Sequence, residues 1–290
     1  MTREIRLLAS GLGFTEGPVV LANGEIIVTS ITHGALYRVL PGGGSSRLAD
    51  LGGGANGAAL AADGTLYVAQ NGGRWAANGP AWPPSSVGGI QRVYPDGSSD
   101  WLTKEPLAPN DLCFGPDGKL YVTDPTRSKA INDGRIWRID PETGASELLA
   151  SVRFFPNGIA FDAADDLYLA ATDSGGIFRT RVTGGTLAEP VEVFRLTHGF
   201  PDGMAFDAAG NLVIGAVDDQ GQGTVQTWTM DGALVEELVP GPGHRFTNVA
   251  FTGDGGLVIC ASDNDSVLLV EDWGAEGLPL HPFRGAGASA

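Results

Sequence analysis

Basic residues are scarce in this chain. Its 290 residues hold 18 Lys and Arg against 34 Asp and Glu, a formal net charge of −16 at pH 7. A surface of that sign repels phosphate backbones and anionic headgroups, which excludes nucleic acid and membrane surfaces as partners. Cysteine is almost absent. Cys113 and Cys260 each lie in an apolar, strand-like run, which reads as two buried thiols in a reducing compartment rather than a disulfide framework. No apolar run reaches the ~18 residues that a membrane-spanning helix needs. The opening Met-Thr-Arg-Glu-Ile-Arg is not followed by the apolar stretch of a secretory signal, so a cytoplasmic location is expected. Charged residues make up only 18% of the chain and hydrophobic ones 42%, a balance too apolar for disorder.

Glycine is what the chain has in excess: 44 residues, with 18 prolines beside them. That abundance of turn-formers argues against a helical bundle and for many short strands. One phrase recurs six times: a polar anchor, a short apolar run, an Asp-Gly-type turn, and a second apolar strand. The copies run Glu16 to Val28, Asn56 to Val68, Asn110 to Val122, Asn157 to Leu169, Asp202 to Ile214 and Asn248 to Ile259. The anchors are spaced by 40, 54, 47, 45 and 46 residues. Periods near that length, with several strands per unit, mark a β-propeller. Two further strand-like runs follow each hairpin, such as Gly134 to Asp140 and Ser146 to Ala150. The expectation is therefore all-β: a six-bladed propeller with four antiparallel strands per blade, one domain over 1–280 and a flexible tail at 281–290. Residues 4–9 form a lone strand that closes the ring beside Ser266 to Val270, removing an open sheet edge.

Strand direction within a blade puts all six anchors around one mouth of the central channel. Two carboxylates and four carboxamides aimed at one axis make an oxygen-rich cavity, which suits a hard divalent cation. Without a cation, Glu16 and Asp202 would repel each other in a poorly solvated funnel. Any single Asn-Gly or Asp-Gly pair is an ordinary turn; six in equivalent places, two of them acidic, point to a metal site.

The ordered set Phe14-Thr-Glu16-Gly-Pro18, Pro109-Asn110-Asp111, Thr123-Asp124-Pro125, Pro156-Asn157-Gly158 and Pro201-Asp202-Gly203 resembles the regucalcin/gluconolactonase family over roughly residues 10–270. The resemblance implies a six-bladed propeller that hydrolyses lactones with one divalent metal in its channel. It implies Glu16, Asn110, Asn157 and Asp202 as the ligands, with Ca²⁺ the expected ion and Mg, Mn, Zn or Fe as alternatives. Asp202 doubles as general base, or is purely a ligand with water activated by the metal. Asn56, Asp124, Asn248 and His198 are assigned to substrate contact. One departure stands out: sugar lactonases of the regucalcin type carry Arg two residues before the blade-three Asn, and here that residue is Ala108. A phosphotriesterase or fluorophosphatase-like hydrolase on the same metal is the alternative activity. A non-catalytic propeller scaffold is the other, disfavoured because it has no reason to bury two acids on the axis.

The longest step contains an insertion, residues 71–89, with Trp75 and Trp82 in a Gly/Pro-rich setting. It falls on the anchor face and reads as a lid over an apolar or aromatic substrate, the other reading being that both rings pack the loop onto blade two. Arg127, on a neighbouring loop, offers a cation to a product carboxylate. The expected partner is a small-molecule substrate, and the expected state a monomer or weak homo-oligomer.

Overall fold

Short apolar strands broken by Asp-Gly-type turns fold here into six antiparallel sheets. The computed structural model describes residues 3–73, 87–126 and 133–281. Strand β1 (Ile5–Ala9) comes first and is taken up last. Blade one is β2 (Thr15–Val20), β3 (Ile26–Ser30), β4 (Ala35–Val39) and β5 (Ser45–Asp50). Blade two is β6 (Ala55–Leu60), β7 (Leu66–Asn71), β8 (Gly88–Val93) and β9 (Ser99–Thr103). Blade three is β10 (Leu112–Phe114), β11 (Leu120–Asp124), β12 (Gly134–Ile139) and β13 (Ser146–Val152). Blade four is β14 (Pro156–Phe161), β15 (Asp166–Ala171), β16 (Gly176–Thr183) and β18 (Val191–Arg195), with a two-residue β17 (Thr186–Leu187) folded back on β16. Blade five is β19 (Phe200–Phe206), β20 (Leu212–Val217), β21 (Thr224–Trp228) and β22 (Leu234–Leu238).

Blade six is β23 (Phe246–Phe251), β24 (Leu257–Ala261) and β25 (Ser266–Val270), and its fourth strand is β1. Ile5 pairs with Val270 and Leu7 with Leu268, antiparallel, as the sequence predicted. Each innermost strand touches the next, and β23 returns to β2, so the sheets close into a ring around β2, β6, β10, β14, β19 and β23.

The apolar core is divided among the joints of this ring. Six clusters of buried side chains occur, and each draws on two adjacent blades. Val28 and Tyr37 of blade one pack on Val258 and Cys260 of blade six, with Leu8 and Ala9 of the closing strand among them. Cys260 is fully buried and Cys113 only partly; both are free thiols. The period-two pattern drives this arrangement, because alternate residues of an interior strand face the two neighbouring blades and both faces must be apolar. After β25 the chain runs beneath the ring. Ala208 N–H donates to Glu276, Leu278 N–H to Phe206, and the His281 ring meets Asp165 at 3.2 Å and the edge of Phe161. His281, expected at the start of a flexible tail, is therefore tied down; residues 282–290 lie outside the described residues.

Candidate metal centre at the channel mouth

Every first hairpin closes at its lower end with the same backbone bond, donated by Leu21, Ala61, Gly115, Asp162, Asp207 or Thr252. Counting back from that shared landmark aligns the upper ends of the innermost strands. Glu16, Asn56, Asn110, Asn157 and Asp202 fall on one equivalent position, as expected. In blade six that position belongs to Thr247, and Asn248 stands one residue deeper. β2, β6, β14, β19 and β23 each carry a register shift around this point. The bulge gives each of these five strands two special positions in place of one, and Asn110-Asp111 just before β10 supply the equivalent pair in blade three. The first position ends in the mouth. The second presses against the next blade and is glycine in four blades, at Gly17, Gly57, Gly158 and Gly203. A Cβ on Gly57 would lie 2.9 Å from Asn110 O, and on Gly158 2.3 Å from Asp202 O. Backbone approaches that close leave no room for a side chain.

Two residues break the glycine rule, and they stand in blades three and six, on opposite sides of the ring. Asp111 and Asn248 are both buried below the mouth, and the Asn248 side chain helps offset the burial that raises the Asp111 carboxyl. Asn248 Nδ2 also donates to Glu16 Oε2 at 3.4 Å. Asn248 thus stands one residue deeper than the other anchors and donates to Glu16. Asp111 was quoted in the sequence only as part of Pro-Asn-Asp, and the signal that would have found it is the missing glycine after Asn110.

The electrostatics of the mouth are unfavourable as the side chains stand. Glu16 is 4% exposed. Burial pushes its carboxyl well above the usual range, and the facing charges of Asp202 and Asp111 push it further. Burial raises Asp111 to about 7 against the opposing bonds from Leu112 N–H and Asn248. Among the described residues no cationic side chain pairs with Glu16 or Asp111. Asp202 is partly buried, Asn110 and Asn157 almost wholly so. Asn157 Nδ2 donates to Thr172 Oγ1 at 3.0 Å, a bond that leaves its carbonyl oxygen free of that partner. Asn56 is 1% exposed and its Oδ1 has no partner. Among the described residues no three His, Cys, Asp or Glu side chains cluster as a ligand set. The donor set is instead two acids plus carboxamides, all oxygen, with a buried negative charge and an orphaned acceptor beside it. That set fits a hard divalent cation, which would hold Glu16 ionised.

The remaining expected contacts are distributed unevenly. Asp124 is fully buried at the end of β11 and accepts from Leu107 N–H (2.8 Å), Ala108 N–H (3.0 Å), Thr126 N–H (2.9 Å) and Trp137 Nε1 (3.2 Å). With donors on both oxygens, it clamps the loop that delivers Asn110. His198 lies on the same face, half-exposed, with Nε2 bonded to Glu237 and Gln226. Trp75, Trp82 and Arg127 lie outside the described residues, in the connections β7–β8 and β11–β12.

Residues 14–261 match the family described as the SMP-30/gluconolactonase/LRE-like region. The chain belongs to this family. A gluconolactonase of Zymomonas mobilis is 25% identical over 197 residues, covering 60% of this chain and 53% of that protein; the chain thus spans about half the length of this curated relative. Among solved structures, a gluconolactonase from Xanthomonas campestris superposes with a TM-score of 0.76 at 21% identity, covering 95% of this chain and 90% of its own. A calcium-binding protein, regucalcin, from Agrobacterium tumefaciens reaches 0.78 at 18% identity with 98% of both chains covered. At those identities the superpositions establish the family's propeller fold.

Proposed function

We propose that this protein is a metal-dependent lactonase, opening a cyclic ester by attack of water at the mouth of the channel. One observation carries the reading: a buried carboxylate, Glu16, facing the charges of Asp202 and Asp111, with no cationic side chain among the described residues to neutralise it. Family membership and the names of the relatives support the same activity. Glu16, Asn110, Asn157 and Asp202 would hold the ion, and calcium suits their oxygen-only character. When bound, the cation supplies positive charge to the ester carbonyl.

The chain's own residues do the rest. Asp202, the more solvent-accessible of the two acids, takes the proton from the attacking water and returns it to the leaving alkoxide. Glu16 stays ionised, oriented by Asn248. Asn110 is held in place through the Asp124 clamp, since the loop before it hangs on two Asp124 bonds. The acidic surroundings repel the carboxylate product and favour its release. Trp75, Trp82 and Arg127 are proposed as substrate contacts from the connections β7–β8 and β11–β12.

Metal analysis combined with a lactone and phosphotriester panel tests this reading. Stoichiometric divalent ion and lactone opening are expected, both lost in Glu16→Gln and Asp202→Asn. A metal-loaded protein that opens no lactone but cleaves phosphotriesters would overturn it.

A further inference from the structure

We infer that the lactone carries an apolar alkyl or aryl substituent rather than the hydroxyl groups of a sugar, and that this substituent rests on blades two to five. The inference builds on the lactonase reading above and names its substrate class. Two residues ahead of the mouth position, the six blades carry Phe14, Gly54, Ala108, Phe155, Phe200 and Arg245. Only the last has a polar side chain, and its guanidinium is bonded to Asp219. Phe14 and Ala108 are buried, while Phe200 is 45% exposed at the upper end of β19. Leu107 beside Ala108 is 37% exposed and Val87 47%. The two belong to one surface, because a Cβ on Gly88 would meet Leu107 O at 1.9 Å. Val87, Leu107, Phe155 and Phe200 thus place apolar side chains near the upper ends of blades two to five, while Glu16 stands in blade one.

Among the described residues, the hydrogen-bonding groups on that rim each already have a partner. Asp124 has four donors. Thr172 accepts from Asn157 and donates to Pro201 O at 2.7 Å. Asp173 accepts from Phe155 N–H, His198 is bonded to Glu237, and His33 to Tyr37. A polyol entering here would give up water for each hydroxyl and find few partners, and unpaired buried hydroxyls are costly. An alkyl chain loses nothing by leaving water.

The test uses metal-loaded protein and a γ-lactone series with alkyl substituents from methyl to heptyl, with glucono-δ-lactone as the polyol. We expect kcat/KM to climb with chain length, up to about fourfold per methylene wholly removed from water, and glucono-δ-lactone to be poorer than the heptyl compound. Phe200→Ala and Leu107→Ser, both at exposed positions, should reduce the heptyl-to-methyl ratio of kcat/KM at unchanged metal content. Preference for glucono-δ-lactone, or a chain-length ratio that neither variant moves, would overturn the substrate class and leave the lactonase intact. Failure to open any lactone would remove both, and is told apart by that result.

Discussion

The lower and upper ends of the first hairpin in each blade are one chain segment apart, yet they are built on different principles. At the lower ends all six turns close with the same backbone bond. In three of them the turn acid or amide caps the chain two residues on: Asn23 accepts from Glu25 N–H, Asp63 from Thr65 N–H and Asp117 from Lys119 N–H. At the upper ends the blades diverge, and only blades two and four carry the same pair, Asn56-Gly57 and Asn157-Gly158. One supplies Glu, one Asp, three Asn and one Thr, and the second position is glycine except at Asp111 and Asn248. Uniformity at the lower ends keeps the blades in register, and that frees the upper ends to vary without changing the fold.

The largest effect that would sharpen this contrast comes from the acids. Glu16→Gln should cut lactone turnover by about a thousandfold or more and abolish bound metal, read by steady-state kinetics and elemental analysis. Next is Asp124→Ala. Loss of four bonds to a buried carboxylate should cost about 2–4 kcal/mol in stability and about ten- to a hundredfold in kcat as the Asn110 loop relaxes. The conservative Asp124→Asn, retaining one acceptor oxygen, should recover part of both.

A third effect is pH-dependent. Asp111 sits at about 7 in the folded chain because of burial, against about 3.9 in an unfolded one. The native state then holds a proton that the unfolded state has released, so metal-free protein should lose stability as pH rises from about 4 to about 7. Thermal melts across that range should show a falling midpoint in the wild type and a flatter one in Asp111→Asn.

The smallest effect belongs to the lower face. Gly118, with φ of +72° and open space around it, should cost about 1 kcal/mol when changed to Ala and leave lactone turnover untouched. If Gly118→Ala lowered turnover at constant stability, the division between the two faces would fail.

The repeat made the fold readable, because Asp-Gly turns between apolar strands recur with a nearly fixed period and propeller blades need little else. The ring of anchors was readable for the same reason in five blades. Blade six misled because Thr247-Asn248 lacks the glycine that fixes the alignment elsewhere, and matching amide to amide placed Asn248 one residue too high. The meeting of Asp111 with Asn248 was not readable at all. It joins residues 137 apart in the chain, and only closure of the ring brings blades three and six face to face. The four donors to Asp124 were not readable either: a buried acid of this kind and a ligand-facing acid have the same local sequence, and only the surrounding N–H groups distinguish them.

The seam between β1 and β25 bears on how the molecule assembles. Blades one to five pair strands that are close in sequence and can form as the chain collapses, whereas the seam joins Ile5 to Val270. Closing a loop that long costs only about 1.5 kcal/mol more than closing a single blade, so the penalty is one of search time rather than equilibrium. Contacts between residues so distant form slowly. The mouth depends on that late event, since Glu16 stands in blade one while Thr247 and Asn248 stand in blade six. An open horseshoe of blades would carry most of the native hydrogen bonds but would leave Glu16 apart from Thr247 and Asn248. The cation proposed above, if held between blade one and its neighbours, would favour the closed ring over every partly built form.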